Sequence, residues 1–347
     1  MLATNAQSGV SSGVTSSLSL RWKEIVEPVR PFLDEVANRL VEQIDAFDPD
    51  IAPYAEYALT NQGKQLRPVL VALSAGAVGR LNETLVTAAT IVEMVHLATL
   101  VHDDVMDAAE LRRRRPTLAA NWGNEVSVLV GDCLFAQAVK LAASFPTPDV
   151  CRAVATATNR VCSGEILQTH HRRNFALNRA EYFRILEMKT AELFALSCEL
   201  GGFLAGGDTA QREALRRYGL ALGTAYQIFD DCLDLFGSEA IVGKSLGTDL
   251  ANGKLTLPLL VLVEHATVAD QAQLREWVAH WDADRFPQVI EMLERYDAPD
   301  ASRQAVHRFL SSARQSLEVL AASSSRRALT TLTEFLSQQT DNLGVGI

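Results

Sequence analysis

Cysteine is scarce in this chain: five among 347 residues, an odd number with no CxxC spacing. That excludes a disulfide scaffold and a paired-thiolate metal motif, and it predicts reduced core thiols in a cytoplasmic protein. Basic excess is also lacking. Lys and Arg total 32 against 42 Asp and Glu, and a net charge of −10 argues against nucleic acid as a partner. No uninterrupted apolar run reaches the roughly 18 residues that suggest a membrane span. Val126–Val139 is broken by Asp132, and Leu255–Val263 is too short. Residues 1–19 carry no charge, so they have neither the basic start of a secretory signal nor the arginines of a mitochondrial one. They read as a flexible tail, with a fragment of plastid-type targeting sequence as the alternative.

What remains is rich in Ala and Leu and poor in strand-type alternation, so most windows read as helix. Helices are predicted near Leu20–Phe47, Asn82–Ala109, Asn124–Ala143, Asp149–Thr169, Arg179–Ala205 and Thr209–Phe236. A basic run, Arg112–Arg115, is stopped by Pro116, and a Gly-punctuated loop covers Gly237–Gly253. The interior has no composition break and no short-period repeat, which predicts a single domain over residues 20–347.

Two acidic pentads stand out. They are Asp103-Asp104-Val105-Met106-Asp107 and Asp230-Asp231-Cys232-Leu233-Asp234. The first and last Asp of each are four apart and share a helix face, where like charges repel. Two such clusters in apolar surroundings imply a cation between them. There is no Gly-centred loop of alternating ligands, so an EF-hand is excluded. Mg2+, which takes few carboxylates and completes its shell with water and phosphate, fits better.

His96, Asp103 and Asp107 form one helical stripe, with His96 about 10 Å from Asp103 along the axis. Lys64 and Arg67 lie in a Gly-Pro loop, Arg112 and Arg113 follow the first acidic helix, and Lys244 and Lys254 follow the second. Acids for metal and bases for phosphate beside an apolar interior imply a substrate with a diphosphate head and a greasy tail. Taken alone, each feature has a plainer reading: a solvated helix end, a core histidine, a solvated basic run. His170 and His171 are adjacent, so they point apart and do not make a metal pair. No Ser-His-Asp or Cys-His set is evident.

The ordered motifs resemble those of the trans-isoprenyl diphosphate synthases over most of the chain, from the Lys64 loop to Pro258. They comprise Gly63-Lys64-x-x-Arg67-Pro68, His96, the first pentad, Leu111-Arg112-Arg113, Gly164-Glu165-x-x-Gln168, Lys189-Thr190, Tyr226-Gln227 before the second pentad, Gly243-Lys244 and Gly253-Lys254-x-Thr256-x-Pro258. The resemblance implies an all-α, isoprenoid synthase-type helical barrel around a deep central cavity, in a homodimer. It implies Mg2+ on Asp103 and Asp107 from one side and on Asp230 from the other, with Asp104, Asp231 and Asp234 as auxiliary ligands. Arg112, Lys189 and Lys244 would grip an allylic diphosphate, with Lys254 a further substrate-binding lysine. Lys64, Arg67, His96 and Arg113 would bind isopentenyl diphosphate, and Thr190 and Gln227 would place oxygens near the developing carbocation. Lys189, Thr190 and Gln227 are thus the catalytic candidates.

The implied reaction is a Mg2+-dependent head-to-tail condensation. The family usually has Gly where Arg114 stands, which puts the local backbone path in question. Short-chain members often place an aromatic ring at the positions of Ala98 or Thr99. Small residues there predict a deep cavity and a medium-to-long product, with Leu134, Phe135 or Val139 forming a deeper floor. Alternatives are a farnesyl- or geranylgeranyl-length product, a terpene cyclase or a non-catalytic partner subunit. Transient membrane contact for product release is a further expectation; a transmembrane segment is not.

Overall fold

The computed structural model describes residues 22–60, 63–238 and 246–343. The expected tail and Lys244 lie outside the described residues. The helices, in order, are α1 (Arg30–Glu42), α2 (Ala52–Thr60), α3 (Leu66–Val78), α4 (Glu83–Met106), α5 (Leu118–Ala143), α6 (Asp149–His170), α7 (Arg179–Leu186), α8 (Glu192–Leu204) and α9 (Thr209–Phe236). They continue with α10 (Thr248–Ala251), α11 (Leu257–His265), α12 (Val268–Ala279), α13 (Phe286–Arg295), α14 (Ala298–Ser316) and α15 (Ser324–Asp341). Among the described residues the strands are confined to one hairpin, β1 (Leu111–Arg112) and β2 (Arg115–Pro116).

The centre is built from helices that are apolar all round, the pattern of a fully enclosed helix. α4 is one of these. Asn82 caps it by accepting the Leu85 N–H at 3.1 Å. It packs on α1, α3, α5 and α8, and that enclosure fixes the direction of its acidic C-terminal turn. α9 begins with a capping box, in which Asp208 and Gln211 satisfy each other's backbone N–H groups. It lies against α8 and α14. Gly219 makes this approach possible: a β-carbon there would stand 2.5 Å from the Phe194 carbonyl oxygen.

Three local departures from the sequence reading bear on the site. The helix expected over Arg179–Ala205 widens into a π-turn at Glu187–Ala191, between α7 and α8. Gly123, at φ 85°, kinks α5 beside the expected start at Asn124, and helix continues on both sides. The basic run is the hairpin, with Arg113 (φ 53°) and Arg114 (φ 63°) both left-handed at its tip. Two successive positive φ values are what a type I′ turn requires, so Arg114 adopts the conformation that Gly would take without strain.

The expectation of core cysteines holds only for Cys198 and Cys232. Cys133 and Cys162 are exposed and Cys151 is half-buried. An apolar helical window does not by itself say which of its faces packs. α4 and α5 are both long and apolar enough to cross a membrane by length and composition. The most apolar stretch of α4 is 72% buried in the fold, whereas that of α5 is only 33% buried, leaving α5 an outward apolar face.

Candidate active site

The last turn of α4 presents the first pentad. Asp103 is half-buried, and burial pushes its carboxyl up to about 6. Lys189 and Arg112 oppose that shift, while Glu165 and Asp107 add to it. Asp104 is buried and accepts the Arg112 Nε–H at 2.7 Å. Asp107 is the helix C-cap. Lys254 stands 3.3 Å from it and 3.4 Å from Asp249, and Arg172 stands 3.4 Å from it. Burial works against the charge on Lys254, but Asp249 and Asp107 outweigh it and raise its pKa.

The second pentad occupies the last two turns of α9 and divides differently. Asp230 is exposed. Asp231 is buried between Tyr182, whose hydroxyl donates at 2.6 Å, and Gln227, whose Nε2 donates at 2.8 Å. Burial first, then the charges of Asp249 and Asp230, push it up to about 8 against those two hydrogen bonds. Asp234 is also buried. It accepts the Thr248 hydroxyl at 2.6 Å and the Asp249 N–H at 3.0 Å, which ties down the start of α10. A continuous path therefore runs from Asp107 through Lys254 and Asp249 to Asp234. The two acidic helices belong to one site.

The π-turn contributes Lys189 and Thr190. Gly164 of α6 admits it closely, since a β-carbon there would lie 2.6 Å from the Lys189 amide nitrogen. The Lys189 ammonium reaches Gln168 at 2.6 Å and Glu165 at 2.7 Å. Thr190 donates to Gln227 Oε1 at 2.7 Å.

Basic groups gather on the neighbouring face. Burial, followed by Arg67, Arg113 and Arg112, holds His96 well below its ordinary range, so the imidazole is neutral and surrounded by guanidinium groups. Burial also lowers Lys64 and Arg67, and Arg67 lies over the Phe194 ring at 5.0 Å. The Arg113 guanidinium abuts Gly63 so closely that a β-carbon would be 2.2 Å from it. Arg67, His96 and Arg113 are thus brought together, and Lys64 is exposed beside Gly63, which Arg113 abuts. Arg67 Nε and one Glu93 carboxylate oxygen are buried without a hydrogen-bond partner, the condition of a pocket built for a polar guest.

Four contributors were missed in the sequence. Glu93 is buried under these arginines, and burial raises its pKa while Arg67 and Arg113 lower it. It lies three residues before His96, a same-face spacing that was available as a signal. Arg172, Tyr182 and Asp249 carry no local pattern; only the fold brings them in. Of the floor candidates, Thr99 keeps accessible surface and bonds the His96 carbonyl at 2.7 Å. Ala98 and Leu134 have none, Phe135 is half-buried against His102, and Val139 is 41% exposed.

An all-α fold with two facing acidic helix ends and a basic pocket beside them defines a diphosphate-handling enzyme of the isoprenoid synthase class. The chain belongs to the polyprenyl synthetase family, whose pattern matches residues 48–293. It is 33% identical over 310 residues to the octaprenyl diphosphate synthase of Haemophilus influenzae, covering 89% of this chain and 94% of that one. Its fold superposes on a decaprenyl diphosphate synthase from Rhodobacter capsulatus at TM-score 0.87, with 31% identity, covering 92% of this chain and 99% of that one. It also superposes on a polyprenyl synthase from Caulobacter crescentus CB15, complexed with calcium and isoprenyl diphosphate, at TM-score 0.85. That match has 34% identity and covers 91% of this chain and 97% of the other. The chain is therefore a prenyltransferase, a trans-polyprenyl diphosphate synthase.

Proposed function

We propose that the chain condenses isopentenyl diphosphate head-to-tail with an allylic diphosphate and releases a medium-to-long trans-polyprenyl diphosphate. The observation that carries this reading is the Asp107–Lys254–Asp249–Asp234 path, which joins both pentads beside the Arg67–His96–Arg113 pocket. The pentad aspartates offer hard carboxylate oxygens, which suit Mg2+. Among the described residues no three His, Cys, Asp or Glu groups form a ready cage, so an ion there would need substrate phosphate and water to complete its shell. Asp103, Asp107 and Asp230 would hold Mg2+, which supplies charge neutralisation at the departing diphosphate.

The protein's own residues do the rest. Lys189 and Arg112 stand beside Asp103 and face the same negative charge, with Lys244 the expected third cation and Lys254 a further one. Lys64, Arg67 and Arg113, with neutral His96, orient isopentenyl diphosphate. As the allylic C–O bond breaks, the Thr190 and Gln227 oxygens stabilise the cation, the isopentenyl double bond attacks it, and a proton leaves to the released diphosphate. Thr99, which keeps open surface where a short-chain enzyme would carry a ring, supports the longer product, and the two relatives named for eight- and ten-unit products agree. The exposed apolar side of α5 supports a homodimer. Five unpaired cysteines support a cytoplasmic setting, with product leaving by transient membrane contact.

The test is incubation of purified protein with Mg2+, labelled isopentenyl diphosphate and primers of different length, followed by chromatographic sizing. Products beyond geranylgeranyl length are expected. Release of chains of that length or shorter would refute the long-product reading, and cyclic hydrocarbon would refute prenyl elongation altogether. Thr99→Phe is expected to shorten the product.

A further inference from the structure

Tyr182 lies outside the pentads and outside the Lys189–Thr190 pair, yet it is 4% exposed and its hydroxyl ends on a pentad aspartate. The phenol's proton is directed to Asp231 Oδ2, at 2.6 Å. The other carboxylate oxygen, Oδ1, takes the Gln227 Nε2–H at 2.8 Å. With its nitrogen on Asp231, the Gln227 amide turns its oxygen the other way. That oxygen receives the Thr190 hydroxyl proton at 2.7 Å. The polarity of the relay is set from one end to the other. Gln227 is half-buried and Thr190 is 9% exposed; with the Thr190 proton and one Gln227 N–H committed to the relay, oxygen lone pairs remain on both.

We propose that Tyr182 is a positioning residue for prenyl transfer: through Asp231 it fixes the orientation of Gln227 and Thr190, so that oxygen and not N–H or O–H faces the allylic cation. Asp231 in this arrangement is an orienting group with both oxygens committed, rather than a metal ligand. The inference rests on the prenyl-transfer reading above and deepens it. An inverted amide would present two N–H donors to a developing positive charge, and it would leave the Thr190 proton without its acceptor. A preorganised dipole of the right sign is worth most where water is excluded. Packing alone does not call for the arrangement, because Phe fills the same volume as Tyr in a buried site.

The test compares Tyr182→Phe with the wild type, using isopentenyl diphosphate and an allylic primer. The expected result is a fall in kcat of about tenfold or more, the scale of a lost hydrogen bond to a charged group. KM for both diphosphates should stay within about twofold. In a Gln227→Leu background the same change should cost little further, because both substitutions cut one relay. Asp231→Asn forces an amide against an amide and should also lower kcat by about tenfold, while Mn2+ affinity read by electron paramagnetic resonance stays unchanged. An unchanged kcat in Tyr182→Phe would overturn the inference. So would a loss confined to KM, losses that add in the double variant, or weakened Mn2+ binding in Asp231→Asn. Should Tyr182→Phe not fold, the Asp231→Asn pair of readouts decides alone. If the wild type itself releases no prenyl product, the proposed function fails, not this relay.

Discussion

The six pentad aspartates are equivalent on paper and unequal in the fold, because their surroundings sort them. Asp230 is exposed, whereas Asp234, about one-ninth of a helical turn beyond a full one, is spent on α10 through Thr248 and Asp249. The two positions should therefore fail in different ways. Asp230→Asn is expected to lower kcat by a hundredfold or more, roughly the loss of one charge-stabilising group, with thermal midpoint unchanged. Asp234→Ala strips two hydrogen bonds from a buried carboxylate and should destabilise by about 2 kcal/mol in urea denaturation. Equal stability losses at both positions would refute this division.

His96 gives a pH signature. Its pKa in the fold lies well below the ordinary 6.5, first from burial and then from Arg67, Arg113 and Arg112. The unfolded chain therefore binds the proton more readily, so this contribution to stability is full above 6.5 and is lost as pH falls below it towards the depressed value. The wild-type urea midpoint minus that of His96→Gln should therefore fall between pH 7.5 and pH 5.5, against the opposite trend from the raised carboxyls of Asp103 and Asp231. At this scale much of the site was legible: charge and spacing gave a basic side beside the acidic stripe, and the family resemblance grouped Lys64, Arg67, His96 and Arg113. Glu93 could have been found, and Tyr182 and Asp249 could not, because their partners are distant in sequence.

Among elements, α9 runs from Thr209 to Phe236 as its sequence predicts, since its capping box and its amphipathic stripe are both local. The π-turn at Glu187–Ala191 was not legible. It depends on how α6 and α9 pack around it, and a window of helix-forming residues carries no mark of a widened turn. The hairpin was hidden for a related reason: four consecutive arginines give no turn signal, and Arg114 occupies a conformation that Asn or Gly would announce. This makes a direct prediction. Arg114→Gly relieves the left-handed strain and should stabilise the protein by about 1 kcal/mol, seen as a higher thermal midpoint, with kcat unaltered. A lower midpoint would mean that the Arg114 side chain contributes more than its backbone costs.

For the molecule as a whole, the two most apolar long helices have opposite fates. α4 is sealed within the fold, but α5 turns Val128 (41% exposed), Leu129 (63%) and Val139 (41%) outward, with Ile166 of α6 at 69%. Large apolar side chains clustered on one side mark an interaction surface more often than chance. A second copy of the same face would cover this one without further chemistry, as two-fold pairing requires only self-complementarity. The wild type is accordingly expected at twice 37.8 kDa by light scattering. Leu129→Glu should bring it to the monomer mass while retaining helical circular dichroism. Cys133, one turn on from Leu129 and exposed in the isolated chain, provides an independent reading. It should resist alkylation in the wild type and react quickly in Leu129→Glu, whereas Cys198, whose thiol burial pushes up to about 12, should stay unreactive in both. A wild type that is monomeric, or a Cys133 equally reactive in both proteins, would show that α5 meets something other than its own copy.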